Sequence, residues 1–360
     1  MLFAAHPDDE SLACSIVLQQ AVRAGAAIRI VYATDGEDNP WPQRVLDRKW
    51  RLNASDRKRW GKLRRAEALA GLRVLGVNPS ATCFLALPDQ KLTTLLMHDC
   101  RSVLERLADI LTDWAPTDVL VPSISDTHPD HNALAVMIRL VLNESFSQKA
   151  LMSIWSYAVH GRSPAFFDRA QIIRQSEIEM ATKLRAIRCH ETQLKLSRKR
   201  FLGYAARPER LVKLKACDEA IADGSIGSIL RRPHSLRMEL RLSAKAMRIP
   251  EPALFVLGHD EAGGLRCLTM RVPARSSPAE MLDSGTLEPV AVAQYRGNAF
   301  TGELAIPINI FSPAHALFVK LERRSWFFDE AGWLEVPSAR SEQTVAPRRD
   351  VIEARRLAIR

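Results

Sequence analysis

Up to about residue 142 the chain alternates between short apolar runs and longer stretches in which apolar positions recur every three or four residues. The runs at Leu2 to Ala5, Ile28 to Ala33, Thr82 to Leu87 and Asp118 to Pro122 predict buried strands. Helical periodicity follows from Asp8 to Ala24, Asp56 to Leu75, Thr94 to Trp114 and Asn132 to Leu142, with Gly25 and Gly76 as C-terminal stops. Residues 38–54 contain Pro40, Trp41, Pro42 and Trp50 and break the pattern; they predict an irregular loop near the mouth of a site. Beyond these, Met152 to Val159 predicts a further strand, and Arg174 to Lys199 predicts one long helix carrying His190 and Gln193.

Strand and helix thus alternate, which predicts an α/β fold: a Rossmann-like, mostly parallel sheet with helices on both faces. Ligands of such sheets bind beyond the carboxyl ends of the strands, where the strand order switches. His6, Asp35, Asp89 and His131 each fall just after a predicted strand, so this topology gathers all four at one rim.

Near residue 225 the pattern changes to short β runs, including Leu236 to Leu242, Ala253 to Gly258, Leu265 to Val272, Thr301 to Ile310 and Trp326 to Val336. Turn signals such as Asp260-Glu261-Ala262-Gly263-Gly264 separate them. Strands at this spacing predict a smaller antiparallel, β-sandwich-like domain. The expected division is an α/β domain over residues 1–222, a β-rich accessory domain over 223–338 and a charged tail over 339–360.

Composition narrows the classes. The chain has 360 residues, enough for two domains, with 47% hydrophobic and 26% charged residues. The net charge of +10 is spread over the chain without the aromatic interleaving of a single-strand binder, so no nucleic-acid partner is expected. Six cysteines stand without CxxC spacing and read as reduced thiols. With no signal peptide and no apolar run long enough for a membrane span, the expected compartment is the cytoplasm. Met1 stands five residues before His6, which leaves a very short first strand and raises the question of a trimmed start.

The chemistry lies in Ala5-His6-Pro7-Asp8-Asp9-Glu10 and Thr127-His128-Pro129-Asp130-His131-Asn132. His6 and Asp9 are three residues apart and can face one way at a helix start, leaving Asp8 turned towards a water. His131 supplies a third ligand, and His128 faces the substrate, with Asp130 available to hold its tautomer. Two His, one Asp and an open position suit a catalytic metal, and Zn²⁺ and Fe²⁺ both suit that donor set. Asp8 then serves as general base and His128 as general acid or oxyanion stabiliser, in hydrolysis of an amide or ester.

These motifs resemble the PIG-L/LmbE-like family of zinc-dependent N-deacetylases. Thr34-Asp35-Gly36-Glu37, Arg64-Arg65-Ala66-Glu67, Leu87-Pro88-Asp89 and His190-Glu191-Thr192-Gln193 extend the resemblance over about residues 1 to 215. It implies a Rossmann-like fold and removal of an N-acetyl group from an N-acetylglucosamine moiety. It also implies His6, Asp9 and His131 as zinc ligands, Asp8 as base, and His128 backed by Asp130 as the catalytic histidine. Arg64 and Asp89 are implied as substrate contacts, the first for substrate or acetate and the second for a sugar hydroxyl.

Plainer readings stand beside these. Arg64 is equally a helix charge paired with Glu67, and Asp89 a turn residue. Glu10 is left out of the metal set, His190 reads as structural, and His160 has no partner pattern. Trp41 and Trp50 either stack on a sugar or plug their loop. The abundance of arginine suggests an anionic substrate, and a homo-oligomer is compatible with the sequence. Rival functions are a metal hydrolase of a non-sugar amide or an O-acetyl ester, and a non-catalytic carbohydrate-binding protein.

Overall fold

Seven strands form the first sheet: Leu2–Ala4 (β1), Ile30–Thr34 (β2), Thr82–Leu87 (β3), Asp118–Pro122 (β4), Ser153–Tyr157 (β5), Gln171–Ile172 (β6) and Arg210–Lys213 (β7). Their order is β3-β2-β1-β4-β5-β7-β6, with β1 to β5 parallel and β7 antiparallel to both of its neighbours. Leu2 pairs with Ile30 on one side and Leu120 on the other, so the switch in strand order falls between β1 and β4. Both strands are apolar because helices cover both faces. The computed structural model describes residues 1–145, 152–161, 163–214, 225–242, 252–322, 324–325 and 327–338.

Three helices that the periodicity predicts as continuous are broken. The first divides at Cys14 into Asp9–Ala13 and Ser15–Arg23. Glu209 explains this break: its carboxylate accepts from the backbone N–H groups of Ile16 and Val17, at the free start of the second piece. Glu209 is itself paired with buried Lys183 at 2.8 Å. The predicted helix from Arg174 to Lys199 divides at His190 into Glu177–Arg188 and Glu191–Gly203. There Glu67 accepts from both the N–H and the hydroxyl of Thr192. In each case a buried carboxylate distant in sequence satisfies a new helix N-terminus. The third break, at Asp99 and Cys100, separates Leu92–His98 from Arg101–Trp114. In the opposite direction, the expected loop over residues 38–54 contains a helix, Pro40–Asp47, with proline at its first turn.

The β-rich part is antiparallel as expected. Its strands are Ile226–Arg232 (β8), Ser235–Arg241 (β9), Ala253–His259 (β10), Leu265–Arg271 (β11), Arg275–Asp283 (β12), Pro289–Asn298 (β13), Thr301–Pro307 (β14), Leu317–Glu322 (β15), the hairpin Arg324–Ser325 (β16) and Phe328–Asp329 (β17), and Leu334–Val336 (β18). Nine of them form one sheet in the order β18-β15-β10-β11-β12-β13-β14-β9-β8, and β16 pairs only with β17. The facing layers of a sandwich are supplied by this one sheet curling on itself. Arg231 on edge strand β8 donates to the carbonyls of Ser312, His315 and Pro337, the last just beyond the other edge strand. The sheet is therefore nearly barrel-like, around a core that includes Leu236, Met281, Tyr295, Ile306 and Val319.

The two parts share a core. Leu96, Leu107, Leu134 and Val141 of the α/β part belong to one buried cluster with Phe255, Leu257, Phe318 and Trp333 of the β-rich part. The expected boundary at 222/223 and the tail at 339–360 lie outside the described residues.

Backbone bonds also tie the β-rich part to the loop after β4. Asp329 N donates to Thr127 O at 2.8 Å, and Trp333 N to Ile124 O at 2.7 Å. Gly332 permits this approach, because a Cβ there would lie 1.8 Å from the Ile124 carbonyl oxygen.

Candidate active site

Five strand ends meet at the switch point. β1 delivers His6, Asp8 and Asp9; β2 delivers Asp35 and Gly36; β3 delivers Asp89; β4 delivers residues 123–131; β5 delivers His160. The start of the first cluster is pinned to its neighbour, since Thr34 donates both its N–H and its hydroxyl to Ala5 O.

Four donor atoms of three residues converge here. His6 Nδ1 lies 3.0 Å from His131 Nε2, His131 Nε2 lies 3.3 Å from Asp9 Oδ1, and Asp9 Oδ2 lies 3.9 Å from His6 Nδ1. A tetrahedral ion with bonds of about 2.0–2.1 Å requires donors roughly 3.3–3.4 Å apart; the His6–His131 and His131–Asp9 separations of 3.0 and 3.3 Å come near that spacing, and Asp9 Oδ2 lies farther out at 3.9 Å. Two other sets share His6: His6 with His128 and His131, and His6 with Asp89 and Asp130. The second is less free to ligate. Asp130 accepts from Gln90 N at 2.6 Å and Leu92 N at 3.1 Å, and Asp89 accepts from Asp38 N at 2.7 Å. His128 Nδ1 already accepts from the Asp130 N–H at 3.2 Å. Asp9 is held in the same way, its Oδ2 accepting from His6 N at 2.9 Å, so His6, Asp9 and His131 stand beside these two sets as one of three groupings around His6.

Burial tends to neutralise every charge here, and the neighbours oppose it selectively. Burial would lower His6, but contacts with Asp130, Asp89 and Asp9 raise it to about 10. His131 rises for the same reason, held by Asp9 and Asp126 against burial. Burial would raise Asp9, but His131 and His6 bring it down to about 2. Asp8 is pushed up by burial and by Asp9, while the Arg64 guanidinium 3.0 Å away restrains it. His128 goes far down, through burial and then through the positive charges of His6, His131, His160 and Arg64. A bound dication would act on His128 in the same direction.

The geometry also fixes the tautomer of His128. Its Nδ1 accepts a backbone hydrogen, so the neutral ring carries its proton on Nε2. The sequence reading put the Asp130 carboxylate behind His128. The structure puts it under the Asp89-Gln90 turn instead, with one oxygen 3.4 Å from His6 Nε2. The reason is the helix start: the backbone N–H of Asp130 faces His128, and its side chain points the other way. The turn it supports is strained, with Ala86 and Gln90 both at positive φ, 56° and 61°.

Arg64 and Asp89 both reach the site. Arg64 is buried, donates to Gly36 O at 3.0 Å and pairs with Asp8 rather than Glu67. Gly36, at φ 63°, makes room for it: a Cβ would lie 1.7 Å from Arg64 Nη1. Asp89 holds the Asp38 N–H with one oxygen and lies 3.2 Å from His6 Nε2 with the other. Asp35 is occupied by Arg65, with both contacts at 2.6 Å.

The sequence reading missed three residues. Asp126 is fully buried and accepts from His128 N, Val159 N and His160 N, with an oxygen 3.2 Å from His131 Nδ1. It therefore holds the tautomer that turns Nε2 of His131 towards the other ligands. His160, which has no partner pattern in the sequence, stands beside the cluster: its ring is 5.8 Å from that of His128 and 5.3 Å from that of His131. Its place after β5 was the available signal. Phe328 lies 5.8 Å from the His128 ring and carries no pattern that sequence could flag. Behind the site, His190 is fully buried, 3.1 Å from Ser11 Oγ and 3.4 Å from Glu10 Oε1, so it packs the network that supports the Asp8-Asp9-Glu10 turn.

A cavity of about 510 Å³ opens over these groups. Its base holds His6, Asp8, Asp9, Arg64, Asp89 and His128, and its upper wall holds Trp41, Leu196, Phe201, Phe327 and Phe328. Trp41 and Trp50 share the Arg44 guanidinium, which lies 5.0 Å and 5.1 Å from their rings.

The sequence of this N-terminal part matches a family model, PIG-L: GlcNAc-PI de-N-acetylase, over residues 1–142. Residues 1–142 are a PIG-L family domain. Two curated relatives are each a 1D-myo-inositol 2-acetamido-2-deoxy-alpha-D-glucopyranoside deacetylase. The one from Mycobacterium avium (strain 104) is 30% identical over 142 residues, and the one from Mycolicibacterium paratuberculosis (strain ATCC BAA-968 / K-10) is 31% identical over 142. Each match covers 35% of this chain and 45% of the relative, so it spans under half the relatives' length. Among solved structures, N,N'-diacetylchitobiose deacetylase from Pyrococcus horikoshii aligns with 18% identity and a TM-score of 0.45, over 59% of this chain and 82% of its own. The zinc-inhibited form of teicoplanin deacetylase Orf2 aligns with 15% identity and a TM-score of 0.43, over 60% and 99%. The PIG-L domain carries both histidine clusters, Arg64, Asp89 and Asp126; His160, His190 and the Phe327-Phe328 wall come from the chain beyond it.

Proposed function

We propose that this chain is a metal-dependent hydrolase that removes an N-acetyl group from an N-acetylglucosamine-containing glycoconjugate or metabolite, releasing acetate. The observation that carries this reading is the convergence of His6, Asp9 and the buried His131, with His6 and Asp9 lining one cavity beside Asp8 and His128. The PIG-L domain and the deacetylase relatives support the substrate class. Zn²⁺ is the proposed cofactor, with Fe²⁺ suited to the same donors. No helix among the described residues is long and apolar enough to cross a membrane. The five described cysteines are in no disulfide, and the cytoplasm expected from the sequence is the proposed compartment.

In this reading His6, Asp9 and His131 hold the ion. When bound, it supplies Lewis acidity and lowers the pKa of a water towards ~7. Asp8 takes the proton of the attacking water, a role suited to a carboxylate raised by burial. His128, neutral and protonated on Nε2, donates a hydrogen bond to the oxyanion as the new C–O bond forms. Asp8 then returns its proton to the amine nitrogen as the C–N bond breaks. Arg64 orients Asp8 and offers its charge to the acetate, and Asp89 receives a sugar hydroxyl. Asp130 acts through the Asp89-Gln90 turn.

The test is acetate release from a panel of acetamido sugars, with acetyl esters and non-sugar acetamides beside them. Asp8→Ala is expected to abolish release while keeping bound zinc. Full activity in that variant would sink the mechanism, and activity confined to esters or non-sugar amides would replace the substrate class.

A further inference from the structure

The base of the cavity is polar, and the rest of its lining sets Trp41, Leu196, Phe201, Phe327 and Phe328 beside Gln193, Ser197 and Arg200. His6, Asp8, Asp9, Asp89 and His131 are all at most 7% exposed, so the bond to be cleaved must lie deep. Trp41 and Leu196, at the mouth, are 40% and 49% exposed. Phe327 and Phe328, from the β-rich part, line the same cavity. Three separate segments thus place apolar side chains along one wall: the Pro40–Asp47 helix, the Glu191–Gly203 helix and the β16–β17 hairpin. Among the residues lining this wall, Arg200 is the charged one, and its guanidinium lies 5.5 Å over the Phe328 ring and 3.1 Å from His160 Nδ1.

The hairpin is held firmly. Asp329, next to Phe328, is buried and pairs with buried Lys320 at 2.5 Å. Both contact Asn132, the neighbour of His131, at 3.0 Å and 3.3 Å. The wall is thereby locked to the segment that carries His128 and His131. Instead of the positive charge that the composition suggested for an anionic substrate, the β-rich part brings two aromatic rings to the cavity.

We propose that the β-rich part completes the substrate site, with Phe327 and Phe328 forming, together with Trp41 and Leu196, a subsite for an apolar alkyl or aryl aglycone on the glycosidic side of the sugar. This rests on the hydrolase reading above. The acetyl end must reach the deep base, so the portion of substrate at the mouth is the group attached to the sugar. A cavity of about 510 Å³ is in the range that takes a ligand larger than a small metabolite.

The experiment compares acetate release from free N-acetylglucosamine, from its alkyl glycosides of increasing chain length, and from its phenyl glycoside. The expected result is a fall in KM with alkyl length, with hexyl at least about tenfold below methyl, and a comparable gain for phenyl. In Phe328→Ala and Trp41→Ala that preference should collapse towards unity, with folding checked by thermal melting and bound zinc. No gain with chain length, or an unchanged preference in both variants, overturns the proposal. So does a gain obtained only when the N-acyl chain is lengthened, since that puts the wall on the acyl side. A parallel titration of the wild-type protein with alkyl glucosaminides, which carry no acetyl group, separates this proposal from the activity. Chain-length-dependent binding of these glucosaminides, together with no acetate release from any of the N-acetylated glycosides, supports the subsite and rejects the hydrolase reading.

Discussion

Nδ1 of His131 lies 3.2 Å from Oδ2 of Asp126, and both side chains are fully buried. The contact sets which nitrogen of His131 faces His6 and Asp9. Asp126→Asn keeps the shape but removes the charge that favours this tautomer. Zinc affinity should fall about 10–100-fold, measured by competition with a chelator, and activity at limiting zinc should fall with it. An unchanged affinity would show that the carboxylate has no part in the metal site.

Metal loading should release protons. Without metal, His6 is raised from 6.5 to about 10 and His131 is also raised; since only one of the two nitrogens facing each other at 3.0 Å can carry a hydrogen, the pair holds one proton beyond two neutral rings at neutral pH. Ligation requires the neutral rings, so metal competes with protons and apparent affinity rises with pH up to about 10. Calorimetric titration with Zn²⁺ in buffers of different ionisation enthalpy should detect the release near pH 7.5, and its absence would contradict the assignment. The sign for stability follows from the same shift. His6 stabilises the stripped protein fully below about 6.5, and that contribution is lost as pH rises through about 10. Metal-loaded protein should lack this dependence.

Gly36→Ala should damage the site without touching a ligand. The position has φ 63°, and the added Cβ would collide with Arg64 Nη1. Forcing a non-glycine residue into this conformation costs of order 1–3 kcal/mol, and Arg64 must also leave its contact with Asp8. A lower denaturant midpoint together with reduced kcat is expected. Wild-type kcat would mean that Arg64 is not needed where it lies.

Lys320→Met should remove the buried cation that pairs with Asp329. Breaking a buried pair in this way costs about 3–5 kcal/mol, readable by urea unfolding. Adding Asp329→Asn should recover much of the loss, since the charge that Lys320 balanced is then gone. Because Asp329 also holds Asn132, next to His131, the single variant should bind zinc more weakly as well.

The α/β topology was legible because hydrophobic periodicity is a local signal, and a parallel sheet buries its strands on both faces. Strands β3 and β4 fall on the residues that the pattern predicts. The helix breaks at Cys14 and His190 were not legible. The carboxylates that accept from the freed N–H groups, Glu209 and Glu67, are 193 and 125 residues away in sequence. The helix in the 38–54 segment was hidden by its two prolines, which read as loop although one of them sits at a helix start.

The sequence by itself determined which chemistry is available. Two histidine-aspartate clusters, each placed after a buried strand, carry donor types and a spacing that local backbone geometry makes usable. Only the tertiary structure decided the partners: Asp126 rather than Asp130 as the carboxylate behind a site histidine, Asp8 rather than Glu67 as the partner of Arg64, and Phe328 over His128. Spacing constrains side chains a few residues apart on one element. Contacts between strand ends, helices and a second sheet depend on how those elements pack, and no local pattern encodes that.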